Sequence, residues 1–258
     1  MRAIIVAAGR GTRLSPMTDD RPKCMVSLLG RPLIHHLLLT FRQCRVDDIT
    51  IVAGYRADAV QAPGCAIRIN DRYASTNMVA TLFSAVDILD GSEDVIVSYG
   101  DIVFEPRILR SLIDSRAPIA ITVDQGWNSL WKLRMADPLA DAESLKVVDG
   151  GRIIELGRKT RSYGDIEGQY MGLFKVRADH VAAMNAVYAG LDPDGSYDGQ
   201  TRDCMYMTTF LQLLIDAGWR LEAVPVRHGW LEVDTVSDLR LYEDLDHQGR
   251  LDALYRMG

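Results

Sequence analysis

Residues 1–30 read MRAIIVAAGRGTRLSPMTDDRPKCMVSLLG, and this stretch decides the fold of the chain. Arg2 to Ala7 is an apolar, β-branched segment that stops at a run of small and basic residues. Such a pattern is typical of a buried strand that opens into an anion-binding loop. We expect Gly9 and Gly11 to take positive φ and to bring backbone N–H groups close to a bound group. Positive charge comes from Arg10, Arg13 and Lys23. The stretch predicts a polyphosphate site, although a tight turn without a ligand would show the same glycines.

The glycine spacing separates this loop from two common phosphate-binding motifs. The dinucleotide fingerprint needs a third glycine three residues on, and the Walker loop needs Gly-Lys followed by Ser or Thr. Here the lysine comes later, after Arg21-Pro22. Proline fixes its own φ and biases Arg21 toward an extended backbone, so the chain can return and hold Lys23 near the glycines.

The run Ala7-Ala8-Gly9-x-Gly-Thr-Arg-Leu, then Thr18 and Arg21-Pro22-Lys23, resembles the signature of nucleotidyltransferases that make nucleoside-diphosphate sugars and CDP-alcohols. The chain is most similar to small bacterial cytidylyltransferases that act on phosphocholine or on phosphonates such as 2-aminoethylphosphonate. This resemblance implies a glycosyltransferase-A-like fold and transfer of a nucleotidyl group from CTP. It also implies that the nucleotide is bound by Ala7, Ala8, Gly9, Arg10, Gly11, Thr12, Arg13 and Lys23, and by Asp101 further along the chain.

The remaining pattern predicts an α/β fold with a mostly parallel, Rossmann-like central sheet flanked by helices. After Arg31-Pro32, apolar residues at 33, 37, 38 and 41 follow the helical period. Strands are predicted at 48–53, 66–69 and 95–98, with a helix at about 78–89, and this alternation indicates βαβ units. Asp149-Gly150-Gly151 between two apolar runs predicts a hairpin, which would form an antiparallel extension on the acceptor side.

Length and composition favour one compact domain over residues 1–258. Apolar residues make up 48% and charged residues 25%, and no Pro- or Ser-rich linker interrupts the chain. We expect residues 1–120 to bind the nucleotide, residues 121–235 to bind the acceptor and residues 236–258 to form a helical segment. Its apolar spacing predicts packing against the body or against a second copy of the chain, so a homodimer stays open.

Charge and cysteine content exclude several classes of partner. The net charge of -6 argues against nonspecific binding to nucleic acid or to acidic membranes. Apolar runs fall far short of the roughly 18 residues of a membrane span, and the N-terminus does not resemble a signal peptide. The four cysteines lack the spacing of a zinc site or a disulfide framework. We therefore expect a cytoplasmic protein with reduced thiols.

Two carboxylates are the candidate metal ligands. Asp101 follows an apolar strand through Gly100, and Asp234 ends a short strand in Glu-Val-Asp-Thr. Each has an ordinary reading as a turn former or helix cap. The resemblance implies that both bind a metal, and two carboxylates with triphosphate oxygens and waters suit Mg²⁺. The sequence does not show whether the two meet in space.

Thr76 and Asn77 stand between the third strand and the next helix. Either side chain can cap that helix. Members of the family recognise the base between this strand and helix, so the resemblance implies contact with the pyrimidine or the ribose.

The candidate acceptor site lies in the second half of the chain. Residues 124–143 look like a loop or lid, and Trp127 and Trp131 stand four apart, which fits either a helical turn in the core or an aromatic wall for a quaternary ammonium. Acidic neighbours, Asp124, Asp137 and Glu143, would equally suit a primary amine. By resemblance, Lys159 contacts the acceptor phosphate, although a surface lysine is the default reading. Glu167 is expected either at an acceptor amine or hydroxyl or in a solvated loop.

These features predict a magnesium-dependent cytidylyltransferase that uses Arg13, Lys23, Asp101 and Asp234 for catalysis. An anionic oxygen of a phosphate or phosphonate acceptor would attack the α-phosphorus of CTP and displace pyrophosphate, with the protein neutralising repulsion between the two anions. Three alternatives stay open. They are a sugar-1-phosphate nucleotidyltransferase using dTTP, UTP or GTP, a glycosyltransferase of the same fold class, and a catalytically silent nucleotide-binding subunit.

Overall fold

The chain is described here from a computed structural model that covers residues 1–257. Its strands are β1 Arg2–Ala7, β2 Ser27–Leu28, β3 Arg31–Pro32, β4 Asp48–Ala53, β5 Ala66–Ile69, β6 Val95–Tyr99, β7 Ile102–Phe104, β8 Ile119–Asp124, β9 Glu143–Val148, β10 Arg152–Lys159, β11 Gln169–Val176, β12 Leu221–Val226 and β13 Trp230–Glu232. Its α-helices are α1 Leu33–Gln43, α2 Met78–Phe83, α3 Pro106–Asp114, α4 Trp127–Arg134, α5 Ala178–Gly190, α6 Met207–Asp216 and α7 Val236–His247. Each of these helices is too short or too polar to cross a lipid bilayer.

A nine-stranded sheet orders these strands as β5-β4-β1-β6-β11-β8-β12-β10-β9. Strands β5, β4, β1 and β6 are parallel neighbours, as are β8 and β12. Only β11 and β10 run against the others among the described strands, and the β9–β10 hairpin closes one edge. The sheet is therefore mostly parallel, with an antiparallel part beyond β6, as the sequence predicts.

Helices cover both faces of the sheet and form two apolar layers. One layer packs α1, α3, α4 and α7 against the sheet, and the other packs α2, α5 and α6. Strand β1 contributes side chains to both layers. Its residues Ala3 and Ile5 face one layer, and Ile4 and Val6 face the other. A strand buried on both faces reads as a continuous apolar run, which is what the opening sequence shows.

The order of strands reverses around β1. The chain passes from β1 to β4 and β5 on one side and then returns to place β6 on the other side. In open α/β sheets such a reversal leaves a crevice at the carboxyl ends of the two diverging strands. The crevice here lies between the loop that follows Ala7 and the turn at Gly100.

Two predicted elements differ from those observed. The helix expected at about 78–89 ends at Phe83 and is followed by a separate 3₁₀ turn, Val86–Ile88. The stretch from 124 to 143 is not a simple loop, because it contains α4. Its two indoles, Trp127 and Trp131, are each 4% exposed, so burying apolar surface orders the segment despite its weak periodicity.

Candidate active site

A cavity of about 120 Å³ opens where β1 and β6 end. The backbone of Ala7, Ala8 and Gly9 forms one wall, and Tyr99, Gly100 and Asp101 form another. The remaining side comes from Lys23, Tyr73, Thr76 and Asn77. Several residues of the opening sequence, Ala7 to Gly9 and Lys23, therefore line this cavity.

The loop after β1 is held by Gly11 rather than by both glycines. Gly11 has φ +72°, and a side chain there would lie 2.9 Å from Cβ of Lys23. The buried hydroxyl of Thr18 donates to the carbonyl of Gly11 at 3.1 Å. Gly9 has a negative φ and open space around it, so the expectation of positive φ was wrong for that residue. Gly11 thus lets the stem of Lys23 pass directly over the loop.

Arg10 and Arg13, the other basic residues of the loop, do not line this cavity. Arg10 is half-exposed and lies over the ring of Tyr55. Thr12 and Arg13 begin a short 3₁₀ turn. The guanidinium of Arg13 is exposed and reaches Asp234 at 3.1 Å. Arg10, Gly11, Thr12 and Arg13 therefore rim the crevice without lining it.

Lys23 joins the two candidate carboxylates. Its Nζ donates to Oδ2 of Asp101 and to Oδ1 of Asp234, both at 2.6 Å. The three side chains are 14%, 23% and 15% exposed. Lys23 and Asp234 are 211 residues apart in the chain, so tertiary folding alone brings them together.

A small two-stranded antiparallel sheet brings Asp101 and Asp234 close together. Strand β13 pairs with β7, and the Val233 N–H then donates to the carbonyl of Asp101 at 3.0 Å. The α7 N-cap is Thr235, which forms a capping box with Asp238. Because Thr235 caps the helix, the carboxylate of Asp234 is free to face the crevice, and the capping alternative for Asp234 was wrong.

Charge fixes the protonation of this cluster. Burial alone would lower the pKa of Lys23, but Asp101 and Asp234 raise it above its ordinary value. Burial alone would raise the pKa of Asp234, but Lys23, then Arg13 and Arg134, lower it. Lys23 therefore holds its proton and Asp234 its negative charge near neutral pH.

Arg134, at the end of α4, stands behind Asp234 and has no counterpart in the sequence-based predictions. Its side chain is 3% exposed and contacts Glu232 at 2.7 Å, Asp238 at 3.0 Å and Asp234 at 3.3 Å. The guanidinium also lies 5.3 Å from the ring of Trp131. One buried cation therefore compensates three carboxylates and ties them to α4.

The carboxylate pair suits a divalent cation. Oδ1 of Asp101 is buried and has no hydrogen-bond partner, so it keeps lone pairs for a ligand. Carboxylate oxygens are the donors that hard cations such as Mg²⁺ prefer. Residues 1–257 contain no group of three or more His, Cys, Asp or Glu side chains placed to hold a metal. Asp101 and Asp234 could thus hold a cation only with oxygens from a substrate or from water.

Thr76 and Asn77 have structural partners as well as a place at the cavity. The side chain of Asn77 caps α2 by accepting from the Met78 N–H at 2.8 Å. The hydroxyl of Thr76 accepts from Nδ2 of Asn70 and donates to the carbonyl of Arg72, each at 2.9 Å. These hydrogen bonds hold Thr76 and Asn77 in place, so a base bound in the cavity would contact a rigid part of its wall.

A second cavity, of about 250 Å³, adjoins the first and shares Met78 and Tyr99 with it. Its polar lining comprises Tyr99, Asp141, Glu143, Gln169, Tyr170, Tyr206, Thr208, Glu232 and Asp234, and Trp131 and Trp230 add indole surface. None of these residues is basic. The hydroxyl of Tyr170 is buried without a hydrogen-bond partner and is free to bond to a ligand.

The predicted acceptor residues divide between this cavity and other places. Trp131 lines the cavity, whereas Trp127 packs against Trp131 and Tyr163 in the core. Glu167 is exposed and accepts from the Val147 N–H at 3.2 Å, so it braces β9 rather than lining the cavity. Lys159 is exposed at the end of β10 and pairs in register with Glu143.

The acidic residues predicted near the tryptophans also differ in role. Asp124 is buried and accepts from Trp230 Nε1 at 2.9 Å, and Asp137 caps a turn through the Leu139 N–H. Only Glu143 of the three reaches the cavity. Burial raises the pKa of Glu143 to about 7, aided by Asp141 and Asp198 and opposed by Thr208 and Lys159.

The chain is similar in sequence to known nucleotidyltransferases. Residues 3–161 match the family described as the MobA-like NTP transferase domain. The chain is 40% identical over 250 residues to the CTP:phosphoglutamine cytidylyltransferase of Campylobacter jejuni, covering 93% of this chain and 98% of that protein. It is 31% identical over 120 residues to the 2-aminoethylphosphonate cytidylyltransferase of Lancefieldella rimae, covering 42% of this chain and 48% of that protein.

The fold is also similar to that of a solved enzyme. The inositol-1-phosphate CTP transferase from T. maritima superposes with a TM-score of 0.72 at 20% identity, over 99% of this chain and 97% of that one. At this identity the likeness establishes the architecture alone.

Proposed function

Because the chain belongs to the MobA-like NTP transferase family, and is thus a nucleotidyltransferase, we propose that it transfers CMP from CTP to a small phosphorylated acceptor that carries an ammonium group. The observation that carries this proposal is the pair of adjoining cavities that meet at Lys23, Asp101 and Asp234. The cavity beside β1 would hold CTP, and the acidic cavity would hold the acceptor.

The reaction breaks one phosphorus–oxygen bond and forms another. An oxygen of the acceptor phosphate attacks the α-phosphorus of CTP, and the bond from that phosphorus to the α,β-bridging oxygen breaks. Pyrophosphate leaves with the electron pair. The acceptor oxygen is already ionised near neutral pH, so the protein needs no general base for this step.

The residues of the centre would act by position and charge. Lys23 and Arg13 would bind the triphosphate, and their charge would offset the repulsion between the two reacting anions. Thr76 and Asn77 would bound the base. A Mg²⁺ ion held by Asp101 and Asp234 would supply Lewis-acid stabilisation of charge on the phosphate oxygens.

The lining of the acceptor cavity favours a cation at the far end of the acceptor. Glu143 and Asp141 offer carboxylate oxygens, and no basic side chain among residues 1–257 lines the cavity to receive a second anion there. The indole N–H of Trp131 donates to Asp141 at 3.0 Å, so this tryptophan holds a carboxylate in place. Hydrogen-bond acceptors suit a primary ammonium better than a quaternary one, which has no N–H to donate.

Phosphoglutamine is the first acceptor to test. The Campylobacter jejuni relative is named for it, and glutamine carries a primary α-ammonium group. The unpartnered hydroxyl of Tyr170 is available for a carboxylate or phosphate oxygen of such a molecule. The acceptor 2-aminoethylphosphonate shares the primary ammonium and is the second candidate.

A pyrophosphate-release assay tests the proposed function. CTP, UTP, GTP and dTTP should be paired with phosphoglutamine, 2-aminoethylphosphonate, phosphocholine and a hexose 1-phosphate, with Mg²⁺ present and after its removal by EDTA. We expect release with CTP and an acceptor that carries a primary ammonium, and none after EDTA. Preference for a hexose 1-phosphate would instead indicate a sugar nucleotidyltransferase. Nucleotide binding without release in any pairing would indicate a catalytically silent subunit.

Glu143→Gln should raise KM for the ammonium-bearing acceptor about tenfold, because a hydrogen bond to a charged group contributes about 1.5–3 kcal/mol. The wild-type KM should fall as pH rises through about 7, where Glu143 becomes ionised, and the variant should show a smaller dependence. Steady-state kinetics from pH 6 to 8.5 would measure both. The acceptor phosphate titrates in the same range, so only the difference between the two proteins reports on Glu143.

The N-acetylated form of the same acceptor provides the matched control. Wild type should discriminate against it, and Glu143→Gln should lose most of that discrimination. Equal discrimination by both proteins would show that Glu143 does not contact the ammonium.

A further inference from the structure

The space between the two candidate metal ligands already contains a cation from the protein itself. The Lys23 ammonium lies 2.6 Å from one oxygen of Asp101 and 2.6 Å from one oxygen of Asp234. A divalent ion that used the same two oxygens would need the same space. Lys23 therefore competes with a metal that binds through these two oxygens, although not with one that uses only Oδ1 of Asp101.

The surrounding charges strengthen this competition. Arg13 lies 3.1 Å and Arg134 3.3 Å from Asp234, so two further cations stand beside the carboxylate pair, although Arg134 is shared with Glu232 and Asp238. A divalent ion arriving alone would face these cations at short range, where Coulomb repulsion in a partly buried site is large. Residues 1–257 offer no third acidic or imidazole ligand to improve binding.

The nucleotide is the group that can relieve the competition. Lys23 lines the nucleotide cavity, and its stem passes Gly11, where only the absence of a side chain leaves room. Rotation about the side-chain bonds of Lys23 could carry the ammonium from the carboxylates toward bound phosphates, because Lys is flexible and carries three donors. The triphosphate would then supply oxygens for the metal and negative charge for Lys23.

We propose that Lys23 is the resident cation of the Asp101–Asp234 pair in the free protein, and that nucleotide binding draws it away so that the divalent metal can enter. This inference rests on the proposed function, because it takes the crevice as the nucleotide and metal site. Metal and nucleotide then bind with positive coupling. The protein avoids a metal-loaded site that has no substrate.

Binding of Mn²⁺, followed by the EPR signal of the free ion, tests this without turnover. The triphosphate of the non-hydrolysable α,β-methylene analogue of CTP also chelates Mn²⁺ without protein. Mn²⁺ should therefore bind the complex of wild type and analogue about 10- to 100-fold more tightly than it binds either wild type or the analogue alone, a range typical of coupled sites. Lys23→Met should bind Mn²⁺ alone about tenfold more tightly than wild type. Asp101→Asn added to Lys23→Met should remove that gain if the ion sits at this pair.

Arg13→Met is the matched control, since it also removes one positive charge close to Asp234 but leaves the position between the carboxylates filled. Its gain in Mn²⁺ affinity should be clearly smaller than that of Lys23→Met. Equal gains would overturn the proposal in favour of general electrostatics. So would a Lys23→Met protein that binds Mn²⁺ no better than wild type.

The wild-type titration decides the matter even if Lys23→Met does not fold. A complex of wild type and analogue that binds Mn²⁺ no more tightly than the analogue alone would contradict the proposal. Failure of the proposed function would give a different experimental result. A protein that shows coupling with the corresponding UTP analogue, or shows coupling but transfers CMP to no acceptor, would retain the exchange at Lys23 and lose only the assignment of substrates.

Discussion

Lys23→Met is expected to lower kcat about a hundredfold, equivalent to roughly 3 kcal/mol of transition-state stabilisation. The ammonium bonds to Asp234, which lines the second cavity, while Lys23 itself lines the first, so under the proposed function it would stand where the acceptor and the triphosphate repel each other. Methionine retains most of the stem and removes the charge. Pyrophosphate release at saturating CTP, acceptor and Mg²⁺ measures the loss, and KM values measured alongside separate binding from turnover.

Lys132→Met is the control for this substitution. Lys132 is exposed on α4, so its variant should retain turnover close to that of wild type. A Lys23→Met protein with unchanged kcat would remove Lys23 from the chemistry, whatever its effect on metal binding.

Two readouts for Lys23→Met should move in opposite directions. Turnover falls because charge is lost at the reacting groups, whereas metal affinity without nucleotide rises because a competing cation is gone. A variant that is merely damaged would lose both. The pair of measurements therefore separates an active role for Lys23 from a structural one.

The sequence predicts the local parts of this centre well. The apolar run before Gly9 and the Gly100-Asp101 turn carry strong local signals, and both strands appear at β1 and β6. Their meeting with Asp234 has no such signal. It depends on pairing between β7 and β13, two strands of three residues each. The sequence of such short strands, far apart in the chain, does not indicate which strand each will pair with.

The second cavity, too, could not be predicted from local sequence alone. The four-residue spacing of Trp127 and Trp131 predicts a helical turn, but β13 decides which indole faces a cavity, because Trp230 packs against Trp131 at 6.0 Å. Arg134 is another residue whose role the sequence could not predict. A lone arginine at the end of a weakly amphipathic helix carries no signal until three carboxylates from other elements surround it.

Arg134→Met is expected to destabilise the protein by about 3–5 kcal/mol, the usual range for removing one partner of a buried ion pair. Asp234 and Asp238 would lose the cation that they share with Glu232, and Glu232, whose pKa burial raises to about 7 even beside Arg134, would bind a proton still more readily in the folded protein. The deficit should shrink as pH falls, because the raised pKa of Glu232 costs stability only where the unfolded chain holds this side chain ionised. Urea unfolding at pH 7.5 and pH 5 measures the difference.

Arg68→Met provides the comparison, because it breaks an exposed pair with Asp87 and should cost no more than about 1 kcal/mol. Adding Glu232→Gln to Arg134→Met should recover part of the loss, since one stranded charge is gone and the two sites are in contact. If Arg134→Met were as mild as Arg68→Met, the three carboxylates would have to be stabilised from elsewhere, and α4 would not hold Asp234 in place. A large loss that Glu232→Gln partly reverses would instead make Arg134 the link between the wall of the acceptor cavity and the carboxylate that Lys23 contacts.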